Sequence, residues 1–487
     1  MEYYDSKEPA VRENRLGSCN SYGGNVKDLL ECAQGGCMNL ACRRFHQTQL
    51  CQSSLCLSWA DSISDPVIIM HSPVGCGGMN MFKREYFFDG PDKLRYVRTI
   101  NTNLSETDVI SGGEDKLREA ILYAEEKFHP ENIFVMMTCV PTLTGDDADA
   151  VIDSAKNEVK ANIMPVYCAG FKSKIPASAY DALYHGIIKT YFKEKEPKNK
   201  LTKKNKRVNL FSPSSASEAD KNELRRLLEM LGLKVKILPY YTRAEELQEM
   251  TNAVLNVSIC ATHDEYLFSY LKEIYGIPYI IKNVPVGIKN TSSWLMEVAK
   301  YFHKEEEARK IIEEETDKLK RALAPYQKIL SGKTAFIHGG EPRSLATADT
   351  LEMLGVEVLG IEARHHDRFS NELLEKRKNN EKMTYSVAIG QPFEKANLLE
   401  RMKPDIYIGH NGQCVQPAKQ GIPVQPLFYS PNNYMGFTGV FERARGLARM
   451  TRNTQFYKNL RENLRLPYQE SWYKKEPFSY IKSGETI

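Results

Sequence analysis

The sequence predicts an α/β protein of three successive units, with parallel sheets flanked by helices and functional groups at the carboxyl ends of strands. Three observations predict it. Short apolar runs rich in β-branched residues alternate with amphipathic helical stretches over most of the chain. Several of those runs end directly at a cysteine in a Gly- or Pro-bearing turn, which is where open α/β sheets hold ligands. The length of 487 residues also exceeds what one hydrophobic core organises, so two to four domains are expected.

Composition narrows the function classes. A hydrophobic content of 42% and a charged content of 26% are ordinary for a globular protein. A net charge of +4 over this length predicts neither a nucleic acid nor a membrane as partner. No window approaches the roughly 18 to 20 apolar residues of a transmembrane helix. The start, Met1-Glu2-Tyr3-Tyr4-Asp5, lacks the basic-then-apolar pattern of a signal peptide, so a cytoplasmic location is expected. Eleven cysteines are many, and in a reducing compartment they are metal ligands or core thiols before they are disulfides. Six (Cys19, Cys32, Cys37, Cys42, Cys51, Cys56) lie in the first 56 residues, and five (Cys76, Cys139, Cys168, Cys260, Cys414) are far apart. No paired C-x2-C units occur, so any site is assembled by the fold.

Residues 1–45 form a Cys-rich arm with weak periodicity, expected to be mobile or to wrap a partner. Cys32, Cys37 and Cys42 are five apart, about 500° on a helix, so they would not share a face. Residues 46–200 form the first α/β unit. Pro66-Val67-Ile68-Ile69-Met70 is a buried strand that runs into His71-Ser72-Pro73-Val74-Gly75-Cys76-Gly77-Gly78, whose glycines permit close backbone approach beside the thiol. An amphipathic helix covers Asp115 to Phe128, and Ile133 to Met137 is a strand leading to Thr138-Cys139-Val140-Pro141. Thr144-Gly145-Asp146-Asp147 caps a helix from Ala148, and Ile163 to Tyr167 leads to Cys168. Three strands thus deliver Cys76, Cys139 and Cys168 to one sheet edge, which is read as a site. Each alone could be an inert core thiol.

Lys193 to Arg207 is a basic, Pro-containing linker without the aromatic platform of a nucleic-acid patch. The second unit, residues 201–330, has strands at Arg207 to Phe211, Lys234 to Leu238 and Asn252 to Ile259, and helices at Glu218 to Leu231 and Asp264 to Tyr275. Cys260 lies between strand and helix, where the helix amino terminus favours a thiolate; a core cysteine is the alternative. A charged helix from Glu305 to Leu330 bridges to the third unit, residues 331–487. There Lys333 to His338 is a strand, followed by Gly339-Gly340-Glu341-Pro342-Arg343, a helix at Leu345 to Leu354 and strands at Val356 to Ile361 and Asp405 to Gly409. Ser331-Gly332-Lys333-Thr334 is no phosphate loop, because Gln327 stands where a glycine is required. His365-His366-Asp367 could bind a metal but is read as a solvated loop, and Cys414 as structural.

The ordered set of motifs resembles component 1 of nitrogenase, specifically the alpha-type chain and its cofactor-assembly paralogue. The set comprises Cys51, Cys76 after Gly75, the segment Ile110 to Leu117, Cys139 before Gly145-Asp146-Asp147, Pro165 to Phe171, Cys260 before Tyr275-Gly276-Ile277-Pro278, and Gly339-Gly340. The resemblance covers nearly all of the chain after residue 45. It implies three Rossmann-like domains, with clusters at strand carboxyl ends. It further implies that Cys51, Cys76 and Cys139 hold half of a P-type iron–sulfur cluster completed by a homologous beta-type subunit in an α2β2 heterotetramer. Three thiolates do not close a cubane alone, so a fourth ligand from a partner is expected. Cys56 competes with Cys51 for the first position, and the spacing to Cys76 favours Cys51. Cys260 matches the thiolate of an iron–sulfur–carbon active-site cluster, Arg84 matches a cofactor-lining arginine, and Arg343 falls one residue out of register in a similar arginine-bearing loop.

The departures from that pattern shape the expected chemistry. Phe428 stands where the nitrogenase alpha chain has its molybdenum-side histidine, and no histidine follows through Gly436. Pro176 and Tyr180 replace a glutamine and a histidine beside the cofactor, removing a proton donor. The resemblance therefore implies an oxidoreductase fed by an ATP-dependent iron protein and acting on a small substrate other than dinitrogen in the standard molybdenum-dependent reaction. The alternative is a non-catalytic scaffold for cofactor assembly; tetrapyrrole reduction is a weaker third, since those relatives need no thiolate like Cys260.

Overall fold

The structure is a computed structural model, and it describes every residue except 1, 36–41, 44–50, 61, 65, 82–86, 89–93, 96–97, 193–205, 212–215, 241, 282–283, 378–380, 429–431 and 483–487. The mixed α/β architecture of parallel sheets flanked by helices is as expected. The first sheet has the order Arg98–Asn101, Pro66–His71, Asn132–Met137, Asn162–Tyr167, all parallel. Pro66–His71 and Asn132–Met137 are buried at every position, which is why they read as unbroken apolar runs and not as alternating ones. The second sheet repeats the topology with Lys234–Leu238, Arg207–Phe211, Leu255–Ser258 and Tyr279–Ile280. The third is larger: Thr384–Val387, Glu357–Ala363, Thr334–Gly339, Ile406–Gly409 and Val424–Pro426 are parallel, and Tyr22–Asn25 adds an antiparallel edge.

This strand order fixes where ligands go. Each sheet reverses direction of growth between its first strand and the strand on that strand's other side, and the loops there leave on opposite faces to open a crevice. In the first sheet the crevice lies between Pro66–His71 and Asn132–Met137, the strands that precede Cys76 and Cys139. In the second it lies between Arg207–Phe211 and Leu255–Ser258, the latter preceding Cys260. In the third it lies between Thr334–Gly339 and Ile406–Gly409, which precede Arg343 and His410.

Helix Glu305–Leu330 forms over its expected span and packs on Gly436–Arg452, with Tyr326 edge-on to Phe441 at 5.6 Å. Helix Ala261–Tyr275 starts at the residue after Cys260, earlier than the periodicity suggested, because Cys260 is itself its N-cap. Leu255–Ser258 is shorter than expected, since Glu249–Asn252 is a 3-10 turn. The basic linker falls outside the described residues from 193 to 205.

The arm differs from expectation. Its described residues pack on the rest of the same chain and are not a free tail. Arg12 is fully buried: its Nη1 meets Asp181 Oδ1 at 3.0 Å, and its Nη2 donates to Thr262 O at 2.6 Å and lies 3.6 Å from Asp367 Oδ2. Arg15 pairs with Asp181 and Glu265. Cys19 and His366 exchange two backbone hydrogen bonds of 2.9 Å, and Tyr22–Asn25 joins the third sheet. The arm therefore stitches the helix Ser178–Tyr191 of the first unit to the second and third. Cys32 lies in helix Val26–Gly35 and Cys42 in a two-residue strand paired with Ile481–Lys482, so these thiols share no helix; Cys37 lies outside the described residues.

Candidate functional site

Three thiols meet at the first crevice. Cys51 immediately precedes helix Gln52–Ala60, Cys76 lies in the first turn of Val74–Met81, and Cys139 opens Cys139–Thr144. Gly170 reports their proximity. Its N–H donates to Cys139 Sγ at 3.2 Å, and a Cβ added to it would lie 3.7 Å from Cys139 Sγ and 3.9 Å from Cys51 Cβ. Of the glycines flanking Cys76, Gly77 has no room for a side chain because Asn101 abuts it, whereas Gly75 faces open space. Asn101 also accepts from Ser72 Oγ at 2.9 Å, which fixes the turn carrying Cys76.

Charge is set differently at Cys51 and Cys76. Burial opposes ionisation of Cys51, but hydrogen bonds from Ser53 and Ser54 outweigh it and draw its pKa below the ordinary thiol value. Cys76 is pushed up, by burial first and then by the charges of Cys139, Cys51 and Cys168. Thiolates so placed repel one another unless a cationic group sits among them. Among the described residues no three His, Cys, Asp or Glu side chains converge on a point that would hold a single metal ion. Cys51, Cys76 and Cys139 are soft thiol donors, the residues that would hold an iron–sulfur cluster at this crevice. Beneath it His71 and Asp146 tie the two loops together: His71 Nε2 lies 2.9 Å from Asp146 Oδ2 and its Nδ1 3.0 Å from Thr102 Oγ1.

Cys56 and Cys168 are placed elsewhere. Both are buried; Cys56 Sγ donates to Ala179 O at 3.3 Å and Cys168 Sγ to Met137 O at 3.5 Å. Burial, followed by the hydrogen bond and charge of Cys168, holds Cys56 well above the usual thiol pKa. They are packed thiols behind the crevice, so of the three strand-end cysteines only Cys76 and Cys139 open onto it, joined by Cys51. Around them the surface is apolar: Val74, Ile110, Leu143 and Phe171 are all more than half exposed.

The second site is closed. Cys260 is 5% exposed, and its backbone is fixed by Ser258, whose Oγ accepts from Cys260 N–H at 2.9 Å. The helix amino terminus does not prevail here. Burial raises the pKa of Cys260 despite the opposing charge of Arg343 and a hydrogen bond from Thr262. Facing it are Tyr180, whose ring lies 4.1 Å from that of His263, and Arg343, whose guanidinium lies 4.8 Å from the Phe428 ring. Phe428 in turn meets His410 edge-to-face at 4.4 Å. Arg343 sits in the first turn of helix Glu341–Met353, not in a loop. Arg364, at the end of Glu357–Ala363, is brought down to about 10 by burial and stays charged at neutral pH. His263, Arg364, His410 and Phe428 are half-buried around this site. A buried thiol beside the Arg343 guanidinium fits an anionic metallocluster.

Of the residues expected from sequence, the structure brings Cys51, Cys76 and Cys139 together at one crevice and Cys260 and Arg343 together at another. Arg84 lies outside the described residues. The loop His365-His366-Asp367 is buried and not solvated, because His366 Nδ1 pairs with Glu341 Oε1 at 2.7 Å and Asp367 with Arg12. Sequence reasoning missed His263, Arg364 and His410. His410 directly follows a strand, the same signal that singled out Cys260. Cys414 is buried and donates to Gly409 O at 3.6 Å, a packing role as expected.

Comparison with known proteins places these sites in context. The family model described as nitrogenase component 1 type oxidoreductase matches residues 51–452. A nitrogenase iron-molybdenum cofactor biosynthesis protein NifE from Rippkaea orientalis is 30% identical over 393 residues, covering 79% of this chain and 81% of that protein. A nitrogenase molybdenum-iron protein alpha chain from Methanothermobacter marburgensis is 27% identical over 403 residues, covering 79% and 83%. The solved structure described as nitrogenase Cp1 at pH 6.5 superposes with a TM-score of 0.72 at 22% identity, covering 88% of this chain and 93% of that one, a likeness of fold. Among the described residues no helix is long and apolar enough to cross a membrane.

Proposed function

Since this chain belongs to the nitrogenase component 1 type oxidoreductase family, we propose that it is the alpha-type subunit of a nitrogenase-like reductase. Cys51, Cys76 and Cys139 would hold its half of an interface iron–sulfur cluster, and Cys260 would anchor a second metallocluster. Bound there, such clusters supply the storage and delivery of electrons to a small, multiply bonded substrate. The observation that carries this reading is the contrast between the two thiol sites. One is open on an apolar surface, as a cluster completed by a homologous beta-type subunit requires; the other is enclosed, as a reaction that must exclude water requires. The chain's residues do the rest: Ser53 and Ser54 favour the Cys51 thiolate, Arg343 and Arg364 balance anionic charge, and Tyr180 and His263 offer proton-bearing groups beside Cys260.

An ATP-dependent iron protein is the electron donor in this reading, and standard molybdenum-dependent dinitrogen reduction is not the reaction, because Phe428 offers no metal-binding atom. Iron and sulfide analysis of the anaerobic α2β2 complex tests it. Two pools of iron are expected, one of which is lost in Cys260→Ala. A complex with no iron beyond the interface cluster would overturn it.

Assembly of a cofactor for another enzyme is the second reading, favoured by the 30% identity to a cofactor biosynthesis protein. Transfer of the Cys260-bound pool to a cofactor-free enzyme, with no substrate reduced in the presence of iron protein and ATP, would select it.

A further inference from the structure

We infer that Asp146 holds down the reduction potential of the interface cluster, acting as a buried negative charge with no paired cation beneath the thiol crevice of the first unit. This deepens the reading of Cys51, Cys76 and Cys139 given above and rests on it. Asp146 lies between the two turns that carry ligands. Its own N–H donates to Pro141 O at 3.0 Å, which folds it back on the helix that Cys139 opens. Its Oδ2 meets His71, the last residue of the strand that runs into the helix bearing Cys76.

The hydrogen bonds mark Asp146 as a carboxylate. Oδ2 accepts from Gly113 N–H at 3.1 Å and lies 2.9 Å from His71 Nε2, and Oδ1 accepts from the Thr144 hydroxyl at 2.8 Å. The proton of His71 belongs on Nε2. Ser72 N–H donates to Thr102 Oγ1 at 3.1 Å, and that hydroxyl has His71 Nδ1 at 3.0 Å as a nearer acceptor than Met70 O at 3.5 Å. Burial outweighs the pull of Asp146 and lowers the pKa of His71, so the imidazole is neutral and supplies no counter-charge. All three donors are therefore neutral. Among the described residues no lysine or arginine lies within ion-pair distance of Asp146, which is 8% exposed. Gly113 shows how closely this junction is drawn, since a Cβ there would lie 2.8 Å from Asp146 Oδ2 and 3.0 Å from His71 Cε1.

A junction between loops does not need the charge. In an asparagine the amide oxygen at the Oδ2 position accepts from His71 and Gly113, and the amide NH2 donates to Thr144 Oγ1. The Thr144 hydroxyl then turns to Pro141 O or Val140 O, at 3.2 and 3.3 Å. The carboxylate makes the same contacts and adds a buried charge, which is unfavourable without a cation. At a bound cluster, a nearby anion disfavours the more negative, reduced state, and burial leaves that anion poorly screened by salt. The neighbouring acids do not share this role. Asp147 is half exposed and pairs with Lys7 at 2.8 Å, and Glu114 is exposed.

The test is a dye-mediated redox titration of the co-purified complex, followed by EPR, with iron content and melting temperature measured alongside. It compares wild type with Asp146→Asn, Asp147→Asn, Thr144→Val and Cys76→Ala. Asp146→Asn is expected to keep its iron, its melting temperature and its EPR line shape, which follows ligand geometry, while the interface midpoint potential moves upward. Asp147→Asn is expected to leave the potential at the wild-type value. Thr144→Val disturbs the same junction but keeps the charge, and no upward shift is expected. An unshifted potential in Asp146→Asn, loss of its interface iron or an altered line shape overturns the inference. So does an equal rise in Asp147→Asn or Thr144→Val, which would assign the effect to surface charge or to loop geometry. Interface iron that persists in Cys76→Ala would instead overturn the functional reading beneath it.

Discussion

The open thiol face of the first unit and the closed thiol site of the second are built from the same local device, a cysteine between a parallel strand or loop and a helix amino terminus. Their surroundings reverse its consequences. At Cys51 hydrogen bonds from two serines win over burial and the thiol becomes more acidic; at Cys260 burial wins and the thiol becomes less acidic. The helix terminus is common to both, so it does not decide the outcome. What decides it is the hydrogen bonding at each sulfur: Ser53 and Ser54 serve Cys51, whereas Cys76 on the same open face is raised by burial as Cys260 is. The open face sets thiols beside exposed apolar side chains, and the closed site sets a buried thiol beside the fixed positive charge of Arg343.

The largest effect that would break this comparison is loss of a whole cluster. Cys76→Ala or Cys139→Ala is expected to remove the interface iron nearly completely and to loosen the complex on gel filtration, whereas Cys260→Ala leaves both intact. If the three variants lose the same iron, the two sites are not separate.

The next effect concerns the roof of the closed site. Arg12 reaches from the arm to Thr262, two residues from Cys260, and neutralises Asp181 and Asp367 in full burial. Arg12→Ala strands buried carboxylates, and a loss of about 3 kcal/mol is expected, at the lower end of the usual range because Arg15 still serves Asp181. The denaturation midpoint measures this, with Val11→Ala as the neutral neighbour. Cleavage of the arm by protease should rise in Arg12→Ala, with the open face unaffected.

Acid should release the same arm. His185 lies between Tyr266, whose hydroxyl is 2.9 Å from Nδ1, and Ser6, whose carbonyl is 3.0 Å from Nε2, so the neutral tautomer with hydrogen on Nε2 satisfies both. Burial lowers its pKa to about 4. The unfolded chain takes up a proton near pH 6.5 and the folded one does not, so the contribution is complete above about pH 6.5 and declines as pH falls toward 4. The loss amounts to about 3 kcal/mol. His185→Gln should flatten this acid limb; an unchanged limb would show that the arm is held without it.

The contrast between the two sites was partly legible in the sequence. Pro66–His71 and Asn132–Met137 announce themselves as continuous apolar runs, and glycine and proline mark where they stop, so Cys76 and Cys139 could be placed on one edge. Cys260 followed the same rule. The roof was not legible. Arg12 is a single cation in an aperiodic stretch, and its burial depends on acids at 181 and 367, far away in the chain. Arg364 and His410 follow strands as the cysteines do, but a polar residue at a strand end reads as solvated until another unit covers it. The loop at 365–367 misled for that reason. The role of Asp146 was also hidden: Asp147 caps the helix by accepting from Ala150, while Asp146 turns inward to His71.

The smallest expected effect locates the guest of the open face. Gly170 has an ordinary backbone conformation, and an alanine methyl there would make only van der Waals contacts with Cys139 Sγ and Cys51 Cβ, at 3.7 and 3.9 Å. The fold should therefore tolerate Gly170→Ala, with stability within about 1 kcal/mol of wild type and a small gain from the stiffer unfolded chain. The methyl nevertheless projects into the space those two cysteines share, and the neighbouring N–H already donates to Cys139 Sγ. A cluster spanning Cys51 and Cys139 must lie over this glycine, so Gly170→Ala should reduce interface iron without altering the melting temperature. Full iron content in that variant would mean that the cluster sits away from Gly170, toward Cys76, and the ligand set drawn from the first crevice would have to be redrawn.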